Sequence, residues 1–177
     1  LHDALPIWFL GQKFAQLADD RRRIRHLSVR YTHALNRYTF NLIIPLIDTM
    51  VTLAQTQPEN NSALVSAYAN FLQWKERIGM ERALGARGFY SSAFRNQEFR
   101  DRFVALIAEQ KTYHDGFKAL ASPSQIALLQ EGLTENDMAA LATFNAQLEN
   151  GTPCEDIALY SGEAWFNILT AIIEKLH

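Results

Sequence analysis

The apolar positions of the chain recur with a period near 3.6 along most of its length, and no segment shows a convincing period of two, which predicts an all-α fold. A first helix is expected from Trp8 to about Leu27, leading into a longer one from about Tyr31 to Ala54. At about 100° per residue, Tyr31, Leu35, Tyr38, Leu42, Leu46, Thr49 and Leu53 share one face of the longer helix, and Pro45 should bend it. Gln57-Pro58-Glu59-Asn60-Asn61 is the strongest breaker, and a third helix follows from about Ser62 to Phe89. The next, from about Asn96 to Leu120, aligns Phe99, Phe103, Leu106, Gln110, Tyr113 and Phe117 along one side. Ser122-Pro123-Ser124-Gln125 has the form of a capping box with proline at the first helical position, opening a short helix that ends near Gly132. Thr134 to Asp137 repeats that signal for a helix reaching Asn150-Gly151, and the last helix opens at Ser161-Gly162-Glu163. Short connections favour antiparallel neighbours, so the predicted architecture is antiparallel helical bundles.

Composition narrows the class. With 177 residues, 48% apolar and 20% charged, and a net charge of −2, the chain is an ordinary globular one of one or two compact units, and disorder is excluded. Cys154 is the single cysteine, which removes a disulfide framework and a thiolate metal cluster and fits a reducing, cytoplasmic setting. The near-neutral balance gives no electrostatic argument for nucleic acid or a membrane surface, and no apolar run reaches the ~18 residues of a membrane span. Leu1-His2-Asp3-Ala4-Leu5-Pro6-Ile7 reads as one translated frame of a short-read sequencing adapter, so residues 1–7 are set apart as an artefact. Ile168 to Leu176 is a strong helix without a stop signal. Residues 8–177 are therefore expected to be one helical domain cut at both ends.

Candidate chemistry concentrates in Lys75-Glu76-Arg77-Ile78-Gly79-Met80-Glu81-Arg82. With Tyr68 at the centre of the apolar stripe, Leu64, Phe71, Leu72, Gly79, Ala86, Phe89 and Tyr90 flank it within about 60°, and Lys75 and Arg82 fall mid-stripe. Glu76, Arg77, Glu81 and Arg87 are expected to point outward or to the flanks. A cation on a buried stripe must be paired, since leaving it unpaired costs several kcal/mol. The second helix offers only the hydroxyls of Tyr31, Tyr38, Thr39 and Thr49; the fourth offers Gln110, with Glu109 at its edge. Two solutions stand. A small anion could satisfy the planar guanidinium of Arg82, with Lys75 as a second point charge and Gly79 leaving room for close approach. Alternatively, Lys75 snorkels and Arg82 pairs with Glu109 or another carboxylate, making the chain a plain interaction or dimerisation module.

Lys75-Glu76-x-x-Gly79-x-Glu81-Arg82-Ala83, followed by Gly88-Phe89, Phe94, Phe103 through Glu109-Gln110, and Ala164-Trp165-Phe166, resembles the nitrate- and nitrite-sensing (NIT) domain. The likeness runs from about Trp8 to the end and is closest to nitrate-responsive transcription antitermination regulators, in which this domain precedes a small RNA-binding ANTAR domain. The resemblance implies two packed four-helix bundles holding nitrate or nitrite between helices with arginines, Arg82 being the arginine of the family's Glu-Arg motif. It also implies a homodimer, with RNA engaged only through a missing C-terminal domain. The family's first helix, with an Arg-Glu-Arg-Gly-type signature, should lie upstream of Trp8, which puts half of the anion site outside this chain.

The remaining features read as structural. Arg21-Arg22-Arg23-Ile24-Arg25 follows Asp19-Asp20 without interleaved aromatics and is expected to be a solvated helix face. His26 and His33 are too far apart for an i,i+4 metal pair, and Glu174-x-x-His177 is one half of a di-iron motif that needs two copies. Cys154 has no evident base for nucleophilic chemistry, and no constellation of nucleophile, base and orienter is seen, so neither an enzyme, a metal nor a cofactor is expected.

Overall fold

The structure, a computed structural model, describes residues 4–26, 28–56, 62–152 and 161–176, the side chains of 4–10, 13, 31, 32 and 140 aside. The breaker at Gln57 to Asn61, Cys154 and His177 lie outside the described residues. Every regular element among the described residues is helical: α1 (Ala4–Arg25), α2 (Tyr31–Leu35), a π-helical stretch (Asn36–Ile43), α3 (Ile44–Gln55), α4 (Ser62–Tyr90), a 3₁₀ turn (Ala93–Arg95), α5 (Gln97–Leu120), α6 (Pro123–Gly132), α7 (Glu135–Glu149) and α8 (Gly162–Lys175). The fold is all-α. The chain divides into two compact units, Leu1–Ala69 and Asn70–His177.

In the first unit, the predicted long helix is continuous from α2 to α3 but widens in the middle. Proline has no N–H, so Pro45 cannot make the i→i−4 bond, and its ring crowds the preceding turn. The chain answers with a wider turn just upstream: the Ile44 amide reaches back five residues to the Thr39 carbonyl. The wide turn shifts the phase of the apolar face. Thr39, Leu42 and Ile47 are the buried residues of this helix, while Leu46 is only half-buried and Leu53 is exposed, which departs from the expected stripe. Arg37 ties the helix to α1 by a two-oxygen ion pair with Asp20, Nε at 3.1–3.2 Å and Nη2 at 2.9–3.0 Å, and its Nη2 also donates to Gln16.

The second unit owes its helix boundaries to local chemistry. Asn96 caps α5 through the Phe99 amide. Ser122 and Gln125 form the expected capping box, with Pro123 at N1 of α6. Thr134 caps α7, accepting from the Asp137 amide while Asp137 accepts from the Thr134 amide, and Ser161 caps α8. Thr134→Ala is expected to cost about 1 kcal/mol of stability, measurable as a lower denaturation midpoint in urea. The core draws on four helices and the short turn: Trp74 and Ile78 from α4, Phe94 from the turn, Phe103 and Ile107 from α5, Leu141, Phe144 and Leu148 from α7, and Trp165, Leu169 and Ile172 from α8. Its centre is aromatic. Phe144 packs on Trp165 at 4.4 Å between ring centroids, and Phe89, Phe94 and Phe103 close around them at 5.2–6.3 Å.

Candidate functional site

α4 carries the charged segment, and its buried face differs from the one expected. Tyr68 is 50% exposed and Tyr90 75%, whereas Trp74, Ile78, Glu81 and Gly85 face the core. The true stripe is turned from Tyr68 by about a third of a turn. Two residues expected at the outside or flanks are inside: Arg77 is 6% exposed and Glu81 is fully buried. Lys75 and Arg82 lie at the half-buried margin of the stripe rather than in its middle.

Arg77 is the ion that α5 satisfies. Its Nε donates to Glu109 Oε2 at 3.1 Å, its Nη1 to Gln73 Oε1, and its guanidinium lies 4.6 Å from the Tyr113 ring centre. The carboxylate considered as a partner for Arg82 is therefore taken by Arg77. Glu81 is held differently. Gln110 Nε2 donates to its Oε2 at 2.6 Å, while Oε1 and the nearby Asn145 Oδ1 have no hydrogen-bond partner. Burial pushes the Glu81 carboxyl up to about 7, against the smaller opposing pull of Gln110 and Asn145.

Arg82, the next residue, turns toward α8. Its Nη1 donates to Thr170 Oγ1 at 3.1 Å, and its guanidinium carbon stands 4.7 Å from the Phe166 ring centre. Its Nε is buried without a hydrogen-bond partner, and no carboxylate pairs with it among the described residues. Lys75 also reaches α8, donating from Nζ to the Leu176 carbonyl at 3.2 Å, and burial pushes its ammonium below the usual lysine range. Gly79 lies between the two on α4, and a Cβ built there would meet nothing within 4 Å. Helical side chains lean toward the N-terminal turn, so the space beside Gly79 adjoins the Arg82 side chain. The structure thus places Lys75, Gly79 and Arg82 along one margin of α4. Of the residues that complete the setting, Phe166 entered the sequence reading only within the Ala164-Trp165-Phe166 signature and Thr170 not at all, although their i,i+4 spacing on α8 is regular.

Two open grooves lie elsewhere. One of about 390 Å³ in the first unit is lined by Arg23, Ser28, Val29, Arg30, His33 and Asn36; one of about 530 Å³ runs along α5 and the end of α7 past Arg100 and Glu149. Neither includes Arg82. Among the described residues, no three His, Cys, Asp or Glu side chains could hold a metal ion together, and no helix is long and apolar enough to cross a membrane.

The nitrate regulatory protein of Klebsiella oxytoca is 35% identical to the chain over 130 residues, 72% of this chain and 31% of that protein. The chain thus spans about a third of the length of this curated relative. No solved structure matches it. A family model described as nitrate and nitrite sensing matches residues 8–177, which include α4 with its adjacent Glu81 and Arg82 and the whole of α8. The chain belongs to the nitrate- and nitrite-sensing family.

Proposed function

We propose that the chain senses nitrate or nitrite by accepting the anion at Arg82 on the margin of α4, with the Gly79 gap giving it room and Lys75 adding positive potential. The observation that carries this reading is the unpartnered, buried Nε of Arg82. A buried donor without an acceptor costs about 1–3 kcal/mol, and an oxyanion recovers that cost through a charge-assisted bond. Arg77, two positions from Gly79 along α4, has a protein partner at each guanidinium nitrogen, in Glu109, Gln73 and the Tyr113 hydroxyl. The anion joins α4 to α8, and its differential affinity for two packings of these helices is what turns binding into a signal. That signal passes to an output module in a part of the full-length protein outside this chain; the similar Klebsiella oxytoca protein is a regulatory protein, and the resemblance to transcription antitermination regulators points to RNA as what the module engages.

Thermal unfolding in sodium nitrate against equal sodium chloride tests the reading. At nitrate concentrations tenfold above Kd the folded state gains about 1.4 kcal/mol, and the gain is absent from Arg82→Ala. Equal midpoints in the two salts for the unsubstituted chain would refute it. Gly79→Ala separates site from scaffold. Alanine fills open space and is the better helix former by about 0.5–1 kcal/mol, so the fold becomes more stable while nitrate affinity drops. Unchanged affinity in Gly79→Ala would remove Gly79 from the site.

A further inference from the structure

A guanidinium presents five N–H groups in one plane, and its use depends on which of its edges is free and how that plane is held. On Arg82 both are fixed from α8. The Thr170 hydroxyl gives its own proton to the Phe166 carbonyl at 2.7 Å, so it faces Arg82 as an acceptor and takes the Nη1 proton at 3.1 Å. That bond occupies the end of the fork and sets its rotation. The Phe166 ring, centred 4.7 Å from the guanidinium carbon, sets the plane. What remains is the side-on edge, Nε and Nη2, which has no acceptor among the described residues; its Nε is covered in this packing, so an anion takes it only as α8 moves from α4.

Resting on the reading of Arg82 as the anion contact, we infer that Phe166 and Thr170 are positioning residues that aim the side-on edge of Arg82 at a flat anion with two oxygens in its plane. Two parallel N–H donors match two oxygens of one planar group. A flat anion bound there stays in the guanidinium plane. A tetrahedral anion bound through two oxygens throws its other two above and below that plane, one of them toward the negative face of the Phe166 ring. A single-centred anion such as chloride reaches only one good bond at a time. The pair on α8 thereby makes the site selective as well as attractive, and couples occupancy of Arg82 to the position of α8.

Calorimetric titration of the 177-residue chain with sodium nitrate, perchlorate and chloride provides the test. The unsubstituted chain is expected to bind nitrate about tenfold more tightly than perchlorate, a gap of about 1.4 kcal/mol. Thr170→Val removes the acceptor at constant shape, and Phe166→Leu removes the ring while keeping an apolar contact. Each is expected to weaken nitrate about tenfold and leave perchlorate nearly unchanged, collapsing the ratio, while Thr170→Ser and Phe166→Tyr restore it. Phe166 is exposed and Thr170 half-buried, so these variants keep the core intact. If nitrate binding depends on Arg82 but Thr170→Val and Phe166→Leu leave the ratio at its original value, the positioning role is wrong and the functional reading survives. If they lower both anions equally, the two residues are merely structural and the inference fails. If the unsubstituted chain shows no preference for nitrate over either anion, the reading of Arg82 falls and takes the inference with it.

Discussion

Glu81→Gln is expected to make the protein more stable at pH 8 and to leave it nearly unchanged at pH 4. In the folded state the Glu81 carboxyl titrates near 7, raised by burial from an ordinary value of 4.5. The folded state therefore binds the proton more tightly than the unfolded chain. Below about pH 4.5 both states hold it and the stabilising contribution is complete. Between about 4.5 and 7 the unfolded chain releases the proton first, so stability is lost as pH rises, and above about 7 the loss levels off. A displacement of this size corresponds to about 3 kcal/mol, reading each unit as about 1.4 kcal/mol. Glutamine keeps the shape, accepts from Gln110 as Glu81 does, and carries no charge to bury. Unfolding midpoints across pH 4–9 should fall for the parent chain and stay flat at position 81 in the variant, the gap at pH 8 amounting to several degrees, at about 2–4 °C per kcal/mol. Parallel curves for the two proteins would show that Glu81 is not the group responsible.

The second large effect is opposite in sign to the usual rule. Gly→Ala within a helix ordinarily stabilises by about 0.5–1 kcal/mol, yet Gly85→Ala is expected to cost about 3 kcal/mol. A Cβ at position 85 would stand 2.0 Å from Trp165 Nε1 and 2.5 Å from Cε2. Trp165 cannot yield. It is 1% exposed, packed on Phe144, and its indole N–H donates to the Glu81 carbonyl at 3.2 Å. Displacing it strands a buried donor and opens the aromatic centre of the core. In a Trp165→Leu background the same Gly85→Ala change should cost much less, because the obstacle is gone. A double-mutant cycle in urea measures that coupling, and additive effects would disprove the steric account.

These two positions also explain what the sequence discloses and what it conceals. The helix ends were legible because their causes are local: Ser122 with Gln125, Thr134 with Asp137, and Ser161 each satisfy amides three residues away. The buried face of α4 was not. Its core side is built partly from residues that count as polar or blank, a carboxyl whose titration burial raises to about 7 and glycines that accept large rings from elsewhere. Meanwhile Tyr68, Phe71, Phe89 and Tyr90 form an aromatic series on another face, and two of its tyrosines are exposed. Aromatic spacing thus pointed about a third of a turn away from the real interior. The misplacement reversed the apparent roles of neighbours. Arg77 and Glu81 read as surface charges from the sequence although they are buried, and the contacts of Arg82 lie on α8, a helix the wheel of α4 cannot show. In the first unit the same kind of error came from Pro45, whose wide turn changes the phase of a stripe that periodicity assumes constant.

The bond from the Trp165 indole to the Glu81 carbonyl gives the protein an optical reporter of its own. Trp165 is sealed from water and hydrogen-bonded to the peptide immediately before Arg82, while Trp74 lies buried against the His114 ring at 4.5 Å. Indole emission moves to the red when such a ring meets water and responds to a change in its N–H partner. A shift of α8 against α4 strains the Trp165 bond, whereas Trp74 stands elsewhere on α4 and senses it less. In a Trp165→Phe variant most of the ligand-dependent part of the emission should therefore be lost from a chain whose other tryptophans are Trp8 and Trp74, so that occupancy of the margin of α4 is read as colour, with no label attached.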